Sequence, residues 1–365
     1  MTRSEKKKRY DGMLIFVVLL LVAAGLVILY STSAYNGQVK FHDPFHYLKK
    51  QGFATLLGLF GMALIARVDY HKWVPLAIPA YVTSIILSVA VIFFGDEYNG
   101  SKRWLSLGPI SFQPSEFAKV AVIFFLACLV SRNVQRMKRF RTMILMMIPV
   151  LPIVGLVGAS NLSTAIIILG IAVVLIFVAD PKYVRFILMG SIGVGFMTVF
   201  LAMESYRLER LAIWRHPEQY EKGYQTLQGL YAIGSGGLFG RGLGNSVQKL
   251  GFLPEAQNDM IFSIICEELG LFGAISLILI FMFMIYRFMV IAGNAPDLLG
   301  AMIVTGVMAH IAIQVILNIA VVTNSIPNTG ISLPFISYGG SSALFLLAEI
   351  GLVLSVARRI QLKEL

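Results

Sequence analysis

Asp259 is the residue of this sequence best placed to do chemistry, because it stands where a long polar segment meets an apolar helix. The polar segment, 204–258, carries six of the chain's lysines and arginines, and an apolar run begins at Met260. Ionisable groups at membrane depth are costly, so those that a sequence keeps there are candidates for function. The position of Asp259 indicates chemistry at a membrane surface rather than passage through the membrane. The alternative is structural, since aspartate is also a preferred N-terminal cap of a helix.

A second set of chemistry-bearing side chains surrounds a predicted helix start at Pro114. Glu116 and Lys119 are three residues apart and therefore share one helical face. As an ion pair they would enter the bilayer at reduced cost. As a binding site, Lys119 would hold an anionic ligand and Glu116 would orient it. Just upstream, Arg103 adds a cation, and Trp104 is either an anchor at the membrane interface or a platform for a sugar ring.

The polar segment 204–258 offers two ways to bind phosphate. Arg210 stays charged, and the planar guanidinium group matches phosphate oxygens. The glycine run 234–244 would let backbone amides approach an anion, as in anion-binding nests. It matches no nucleotide-binding fingerprint, however, and such runs are more often plain re-entrant connections.

Two further features need an explanation at membrane depth. Glu267 and Glu268 follow Asp259 by eight and nine residues, so their carboxylates must pair, be protonated or face water. We expect structural pairing, with Lys119 as a candidate partner. Near the C-terminus, the segment 327–342 contains two prolines and three glycines, which exclude a regular helix. Irregular backbone at that depth is tolerated only when it is buried in protein or lines a cavity.

The elements that must position these residues are membrane-spanning helices. The 365 residues are 57% hydrophobic and 13% charged, and the apolar runs are continuous, which excludes an ordinary soluble domain and a transmembrane barrel. We predict an all-α polytopic membrane protein, with 1–365 as a single domain. Runs of roughly 20 apolar residues give ten predicted spans: 12–34, 51–67, 73–94, 114–131, 141–159, 162–180, 184–203, 259–286, 298–322 and 340–357.

Lysine and arginine are unevenly divided between the two sides of these spans. One set of alternate loops carries 18 of the 30, and the other carries 11, or 5 when the long segment 204–258 is left out. Because positive residues favour the cytoplasmic side, both termini are predicted to be cytoplasmic. The segments 95–113, 204–258 and 323–339 then face outward together, where a shared active site could form.

The remaining signals exclude other classes of protein. The net charge of +11 comes from basic residues clustered at helix ends, which is typical of topology signals rather than of a nucleic-acid-binding surface. Cys128 and Cys266 stand singly inside apolar runs, so we expect neither a disulfide nor a metal site from them. The sequence contains no internal repeat of the kind that builds secondary transporters, and no dedicated metal-binding motif.

Taken together, these segments resemble the SEDS family of bacterial cell-wall proteins, the group of FtsW, RodA and SpoVE. The resemblance covers nearly the whole chain and rests on ordered motifs: Arg103-Trp104 with 113–116, then 242–249, 253–259, 267–270 and 333–340. The stretch 244–249 is closer to the FtsW/SpoVE branch than to RodA, which favours division or sporulation over elongation. The sequence departs from many members at Gln257-Asn258, where they have His-Thr, and at 160–165, where they carry an acidic residue.

The resemblance implies a peptidoglycan glycosyltransferase of the bacterial cytoplasmic membrane that polymerises lipid II on the outer face. It also implies a class B penicillin-binding protein as partner, beside other division, sporulation or elongation machinery and the membrane lipids. Asp259 matches the family's catalytic acidic position. Further positions regarded as functional in the family are matched by Trp104, Glu116, Lys119, Pro334, Ser337 and Gly339.

Transfer from a lipid-pyrophosphate sugar requires a base and positive charge near the leaving group. Asp259 would accept the proton of the attacking hydroxyl, while Arg210, Lys119 and Arg103 would stabilise the pyrophosphate. No tightly bound cofactor is expected, although Mg²⁺ or Mn²⁺ would suit the pyrophosphate oxygens. Two alternatives stay open, a lipid II flippase and a scaffold that only activates the penicillin-binding protein.

Overall fold

The protein folds as a bundle of long helices joined on one side by irregular segments. The computed structural model describes residues 11–98, 101–107, 110–138, 140–180, 182–185, 187, 190–191 and 212–360. The longer α-helices of these residues, numbered in chain order, are α1 Gly12–Phe41, α2 His46–Arg67, α3 Ala77–Phe94, α4 Pro114–Asn133, α5 Phe140–Met147, α6 Val150–Ser160, α7 Leu162–Ala179, α8 Tyr224–Gly236, α9 Ile261–Gly293, α10 Leu298–Val322 and α11 Gly340–Ala357.

The helices account for most of the predicted spans. Within the described residues, seven helices are long and apolar enough to cross a membrane, and α5 with α6, bent by 41° at their junction, makes an eighth. The predicted span 51–67 is the 22-residue helix α2, which packs along α11. The predicted span 184–203 lies almost entirely outside the described residues. The prediction of an all-α polytopic membrane protein is confirmed, and the predicted count of ten spans is approximate beside the seven or eight that the described residues show.

Local sequence signals explain where two of the helices begin. Asp11 caps α1, because its Oδ1 atom accepts a hydrogen bond from the backbone N–H of Leu14 at 2.9 Å. Pro114 opens α4 at a position where a missing N–H costs nothing, and Glu116 lies in the first turn near the positive end of the helix dipole. The prediction of a helix start at Pro114 is confirmed.

The outer segment 95–113 contains a small antiparallel sheet that the sequence analysis did not predict. Its strands are β1 Asp96–Tyr98, β2 Ser101–Leu107 and β3 Ile110–Phe112, with β2 in the centre. The central strand carries Arg103 and Trp104, and Trp104 lies opposite Asp96 in the register. The all-α prediction therefore holds for the spans, while a sheet positions two of the predicted substrate-binding residues.

The glycine run is used to pack against a kink in α9. At Gly270 the helix adopts φ 66° and ψ −166°, which is non-helical and in the left-handed φ range that favours glycine. Around this kink, the backbone N–H groups of Arg241 and Gly242 donate to the carbonyl groups of Glu267 and Glu268, each at 2.9 Å. These two backbone N–H groups already donate hydrogen bonds within the protein. The alternative that they form an anion-binding nest is therefore wrong.

The length of α9 changes the expected depth of its acidic residues. Of its 33 residues, the 23 after the kink, Leu271–Gly293, form a regular helix about 35 Å long, which by itself is enough to cross a bilayer core. At its far end, Arg287 forms an ion pair with Asp11 at the start of α1. Arg287 follows the kink at Gly270 by 17 positions, or about 26 Å along the regular helix. Glu267 lies on the other side of the kink, which places it near the outer boundary of the hydrocarbon rather than deep within it.

Candidate active site

Two irregular segments meet beside the outer ends of α9 and α10. We call Leu253–Met260 the aspartate segment and Ile331–Gly339 the proline segment. The proline segment is packed into the protein, and its Leu333 side chain is 1% exposed. Gly25 of α1 lies directly against the carbonyl group of Phe335, and a side chain at position 25 would overlap that oxygen. The irregular backbone is therefore buried in protein, as the bilayer requires.

Ser337 fastens the proline segment to the aspartate segment. Its hydroxyl donates to the carbonyl oxygen of Asn258 at 2.6 Å and accepts from the N–H of Leu333 at 2.8 Å. The N–H of Tyr338 donates to the carbonyl oxygen of Gln257 at 2.9 Å. Ser337 thus holds the backbone next to Asp259, and its predicted contact with substrate stays a prediction.

Pro334 and Gly339 have comparable surroundings. Pro334 is buried, and its ring fixes the backbone within a segment that has no regular hydrogen-bond ladder. The N–H of Gly339 donates to the side-chain oxygen of Gln51 in α2 at 3.0 Å. The structure thus places both residues where they shape the proline segment, while the substrate contact predicted for Gly339 stays a prediction.

Asn318 of α10 links the aspartate segment to the proline segment by hydrogen bonds from its side chain. Its amide nitrogen donates to the carbonyl oxygen of Asp259 at 2.8 Å and to that of Ile331 at 2.6 Å. The side chain is fully buried, so both hydrogen bonds form away from water, where leaving a partner unpaired is costly. Asn318 therefore fixes the backbone of the candidate base on a rigid helix.

The carboxylate of Asp259 lies in a largely desolvated environment. The residue is 9% exposed, and its Oδ1 atom is 3.5 Å from the amide nitrogen of Gln225. Burial raises the pKa of Asp259 to about 7, and the carboxylate of Glu255 acts in the same direction, whereas Arg103 and nearby backbone amides lower it. A carboxylate that titrates near neutral pH is well matched to general base catalysis.

Gly330 lies beside both the candidate base and a cation. A methyl group added to Gly330 would lie 3.7 Å from Asp259 Oδ2 and 3.8 Å from Arg103 Nη1. The carboxylate and the guanidinium group therefore flank the same small space. Arg103 is steadied there by a hydrogen bond from Nε to the carbonyl oxygen of Ser160 at 3.2 Å. The structure brings together Asp259 and Arg103, which are 156 positions apart in the sequence.

The capping alternative for Asp259 is wrong. Helix α9 begins at Ile261, its N-cap residue is Met260, and no side chain caps that end. The helix therefore begins two residues later than predicted. The Asp259 side chain does not cap the helix, and its carboxylate instead lies close to Gly330 and Gln225.

Glu116 and Lys119 form the predicted ion pair. Their charged groups are 2.9 Å apart, and both side chains are almost fully buried. The ammonium group of Lys119 also donates to the side-chain oxygen of Gln314 in α10 at 3.1 Å. The ion pair itself is thus confirmed, and the predicted contact of either residue with an anionic substrate stays a prediction.

The pairing of Glu267 or Glu268 with Lys119 is wrong. Glu268 pairs with Lys249 at 2.6 Å, and both side chains are buried. Glu267 accepts hydrogen bonds from the Ser246 hydroxyl at 2.5 Å and from two backbone N–H groups of the same stretch. The expected structural pairing exists, but its partners come from the outer segment, because these carboxylates lie near the outer boundary of the membrane.

The remaining two predicted substrate-binding residues are Trp104 and Arg210. Trp104 is partly buried on β2, next to Arg103, and its stacking on a sugar stays a prediction. Arg210 lies outside the described residues, so its predicted role in binding pyrophosphate stays a prediction as well.

The sequence analysis missed a polar face in α10. His310, Gln314 and Asn318 follow one another at intervals of four residues in an otherwise apolar span, which places them on one face of the helix. All three are buried. The signal was present in the sequence, because polar residues at this spacing in a membrane span need polar partners.

The acidic residues of the site are few. In the part of the chain that the structure describes, no group of three or more His, Cys, Asp or Glu residues is arranged to hold a metal ion. Among the described residues, Glu255, whose side chain is exposed, is the acidic residue whose charge raises the pKa of Asp259.

Comparison with known proteins agrees with this architecture. The FtsW/RodA/SpoVE family model, described as "Cell cycle protein", matches residues 11–362. The stage V sporulation protein E of Bacillus subtilis is 39% identical over 359 residues, which cover 97% of this chain and 98% of that protein. A probable peptidoglycan glycosyltransferase FtsW of Trichlorobacter lovleyi is 34% identical over 362 residues, covering 98% of this chain and 95% of that protein.

Solved structures with the same fold include a chain from a study described as "Structural coordination of polymerization and crosslinking by a peptidoglycan synthase complex". That chain superposes with a TM-score of 0.81 at 30% identity and covers 97% of the present chain, with 99% of its own length matched. The rod shape determining protein RodA of Thermus thermophilus gives a TM-score of 0.71 at 29% identity, with coverage of 97% and 98%. The chain described here belongs to the FtsW/RodA/SpoVE family and is a multi-pass bacterial membrane protein.

Proposed function

We propose that the protein is a peptidoglycan glycosyltransferase that polymerises lipid II at the outer face of the cytoplasmic membrane, with Asp259 as general base. The observation that carries the assignment is a buried carboxylate with a pKa of about 7, facing Arg103 across Gly330. Relatives named as peptidoglycan glycosyltransferases cover nearly all of the chain, which supports the same reaction class.

The proposed step is a single displacement at the anomeric carbon of a lipid-linked sugar. The 4-hydroxyl of the acceptor attacks, its proton passes to the Asp259 carboxylate, and the bond from the anomeric carbon to the pyrophosphate oxygen breaks. The pyrophosphate leaves with the electron pair of that bond. Direct displacement inverts an α-linked donor to the β-linkage. Burial favours this step, because a desolvated carboxylate with a raised pKa takes up a proton readily near neutral pH.

The leaving pyrophosphate needs positive charge that is already in place. Arg103 meets this requirement, because its guanidinium group lies next to Gly330 and is held by the carbonyl oxygen of Ser160. Lys119 is 1% exposed and engaged with Glu116 and Gln314, so we assign it to the support of the site rather than to first contact with the phosphate. Arg210 is proposed as an additional phosphate ligand.

A divalent cation fits the site only as an ion shared with the substrate. Glu255 is exposed and close enough to Asp259 to raise its pKa, and one or two carboxylates together with pyrophosphate oxygens are typical ligands of Mg²⁺. Bound there, Mg²⁺ or Mn²⁺ would neutralise charge on the pyrophosphate. Glu255 would hold the ion, and Asp259 would remain the proton acceptor.

The protein is further proposed to act beside a class B penicillin-binding protein that crosslinks the new strands. Support comes from the similar chain in a peptidoglycan synthase complex described as coordinating polymerization and crosslinking. A scaffold that only recruits the transpeptidase would not need a desolvated aspartate beside an arginine. A flippase remains the competing function for a polytopic protein that handles lipid II, and Asp259 would be dispensable for it.

Purified protein with its transpeptidase partner, assayed on lipid II, tests the assignment. The wild type should form glycan strands, and Asp259→Asn should form almost none while eluting like the wild type and remaining folded. Asp43→Asn is the matched control, because Asp43 is a loop carboxylate paired with exposed Lys49. Full polymerisation by Asp259→Asn would refute the base. Asp259-independent movement of labelled lipid II across vesicles, without polymerisation, would favour the flippase.

A further inference from the structure

A row of buried polar side chains follows one face of the membrane span α10 up to the candidate base. We call His310, Gln314 and Asn318 the polar ladder. At 1.5 Å per residue, His310 lies about 12 Å below Asn318 along the helix axis. Asn318 ends the ladder at the backbone of Asp259. Buried polar groups in a span are costly without partners, so each step of the ladder can be checked for donors and acceptors.

The amide of Gln314 has one orientation that satisfies its neighbours. Its nitrogen lies 3.0 Å from the carbonyl oxygen of Ser332 in the proline segment, and that oxygen can only accept. The amide oxygen therefore faces the other way, where it lies 3.1 Å from the ammonium group of Lys119 and 2.8 Å from His310 Nε2. An oxygen can only accept, so Nε2 of His310 must carry a hydrogen.

This orientation determines the protonation of the next pair. His310 Nδ1 lies 2.8 Å from the Oε2 atom of Glu349 in α11, and both side chains are fully buried. A neutral ring already protonated at Nε2 would present a lone pair at Nδ1, facing an ionised oxygen that also has only lone pairs. The distance is that of a hydrogen bond. One proton must therefore lie between His310 and Glu349.

The charge balance of the buried cluster agrees with a shared proton. Glu116 and Lys119 neutralise each other at 2.9 Å. Without a proton on the second pair, an ionised Glu349 beside a neutral His310 would leave one uncompensated negative charge inside the bilayer. Isolated buried charges are strongly disfavoured. With the shared proton the four groups are neutral in sum.

We propose that His310 and Glu349 hold one shared proton within the membrane and, through Gln314, act as positioning residues for the proline segment. Gln314 contacts Ser332, and Asn318 contacts Ile331 and Asp259, so the ladder fixes two consecutive residues of that segment and the candidate base. The shared proton keeps the amide of Gln314 turned toward Ser332. The inference rests on the proposed function, because positioning is read out through polymerisation.

Two substitutions of Glu349 separate this proposal from simple packing. Glu349→Gln reproduces the protonated acid, since the amide nitrogen can donate to Nδ1 while Nε2 keeps its hydrogen. Glu349→Leu has similar volume but leaves Nδ1 without a partner. Thr305→Val is the matched control, because Thr305 is a buried polar residue of the same helix α10 outside the ladder.

The variants are purified with the transpeptidase partner and assayed for kcat and KM on lipid II. Glu349→Gln and Thr305→Val should retain at least about half of the wild-type kcat. Glu349→Leu should lose about tenfold or more in kcat with KM nearly unchanged, because a buried ring nitrogen without a partner destabilises the imidazole that holds Gln314 and disturbs the base rather than substrate binding.

Hydrogen–deuterium exchange supplies a readout independent of turnover. Amides of the proline segment should exchange faster in Glu349→Leu than in the wild type, while those of α1 remain unchanged. If Glu349→Leu keeps wild-type kcat and exchange, the positioning role is refuted. If Glu349→Gln is as impaired as Glu349→Leu, the shared proton is refuted. Should the wild type fail to polymerise lipid II, the proposed function fails, and the exchange pattern still decides the positioning role.

Discussion

The pH dependence of polymerisation is the sharpest consequence of the site. A base with a pKa of about 7 is roughly one tenth ionised at pH 6 and about nine tenths ionised at pH 8, so kcat should rise about tenfold between them. Glu255→Gln removes the charge that, after burial, contributes most to the raised pKa of Asp259. The acid limb of the profile should therefore move to lower pH.

The size of the change can be worked out from the ionised fractions. If the pKa of Asp259 falls by about one unit, about half of the sites are ionised at pH 6, and the ratio of kcat at pH 8 to kcat at pH 6 falls from about ten to about two. Loss of a cation ligand at Glu255 would instead lower the plateau and raise the midpoint, because a bound divalent cation lowers the pKa of a neighbouring carboxyl group. Normalised profiles therefore separate the two roles of this residue.

The assay is polymerisation of lipid II from pH 5.5 to 8.5, with profiles compared between variants so that titration of the substrate cancels. Glu218→Gln is the matched control, because Glu218 is an exposed acidic residue of the same outer segment. Arg103→Met should move the midpoint upward, since the guanidinium group lowers the pKa of Asp259. A flat wild-type profile, or a Glu255→Gln midpoint at or above the wild-type value, would refute the reasoning.

Three further predictions concern stability and backbone conformation. The pKa of Asp259 rises from 3.8 to about 7 on folding, so ionised Asp259 destabilises the protein as pH rises through that window. Asp259→Asn should therefore raise the free energy of unfolding at pH 8 by up to about 4 kcal/mol, with the difference shrinking toward pH 4, as thermal unfolding at the two pH values will show. Lys249→Met should lower the free energy of unfolding by about 3 kcal/mol, and adding Glu268→Gln should restore most of it, as thermal unfolding will show; equal stability of the single and double variants would contradict a buried pair. Gly330→Ala should impair polymerisation more than Gly244→Ala, because both have positive φ but only Gly330 adjoins the Asp259 carboxylate; equal activity would mean that the space beside Asp259 is not used.

Some of the site was predictable because the relevant interactions are local. Glu116 and Lys119 pair because three residues of helix bring their side chains together, and this spacing can be read from any sequence. The same holds for Pro114, which marks the start of α4. In contrast, the partner of Glu268 could not be chosen from the sequence, because Lys249 and Lys119 are both plausible cations until the chain path is known.

The depth of the acidic residues was misjudged for a related reason. Counting from Asp259 placed Glu267 inside the membrane, but the bilayer thickness has to be measured along a helix whose two ends are known. The Asp11–Arg287 pair supplies that second reference point, and it depends on how α1 packs against α9. The sheet that carries Arg103 escaped prediction because its strands are short and lie outside any strong hydrophobic pattern.

By itself the sequence determined the class of the protein, the approximate spans, the candidate base and the family. These follow from hydrophobic runs long enough to cross a bilayer and from ordered motifs, which are properties of the chain alone. Tertiary structure decided that Asp259 faces Arg103 across Gly330, that Lys249 neutralises Glu268, and that the polar ladder of α10 holds the base from within the membrane. Those contacts join residues far apart in the chain, and only the packing of helices in three dimensions selects which distant partners relieve the cost of burial.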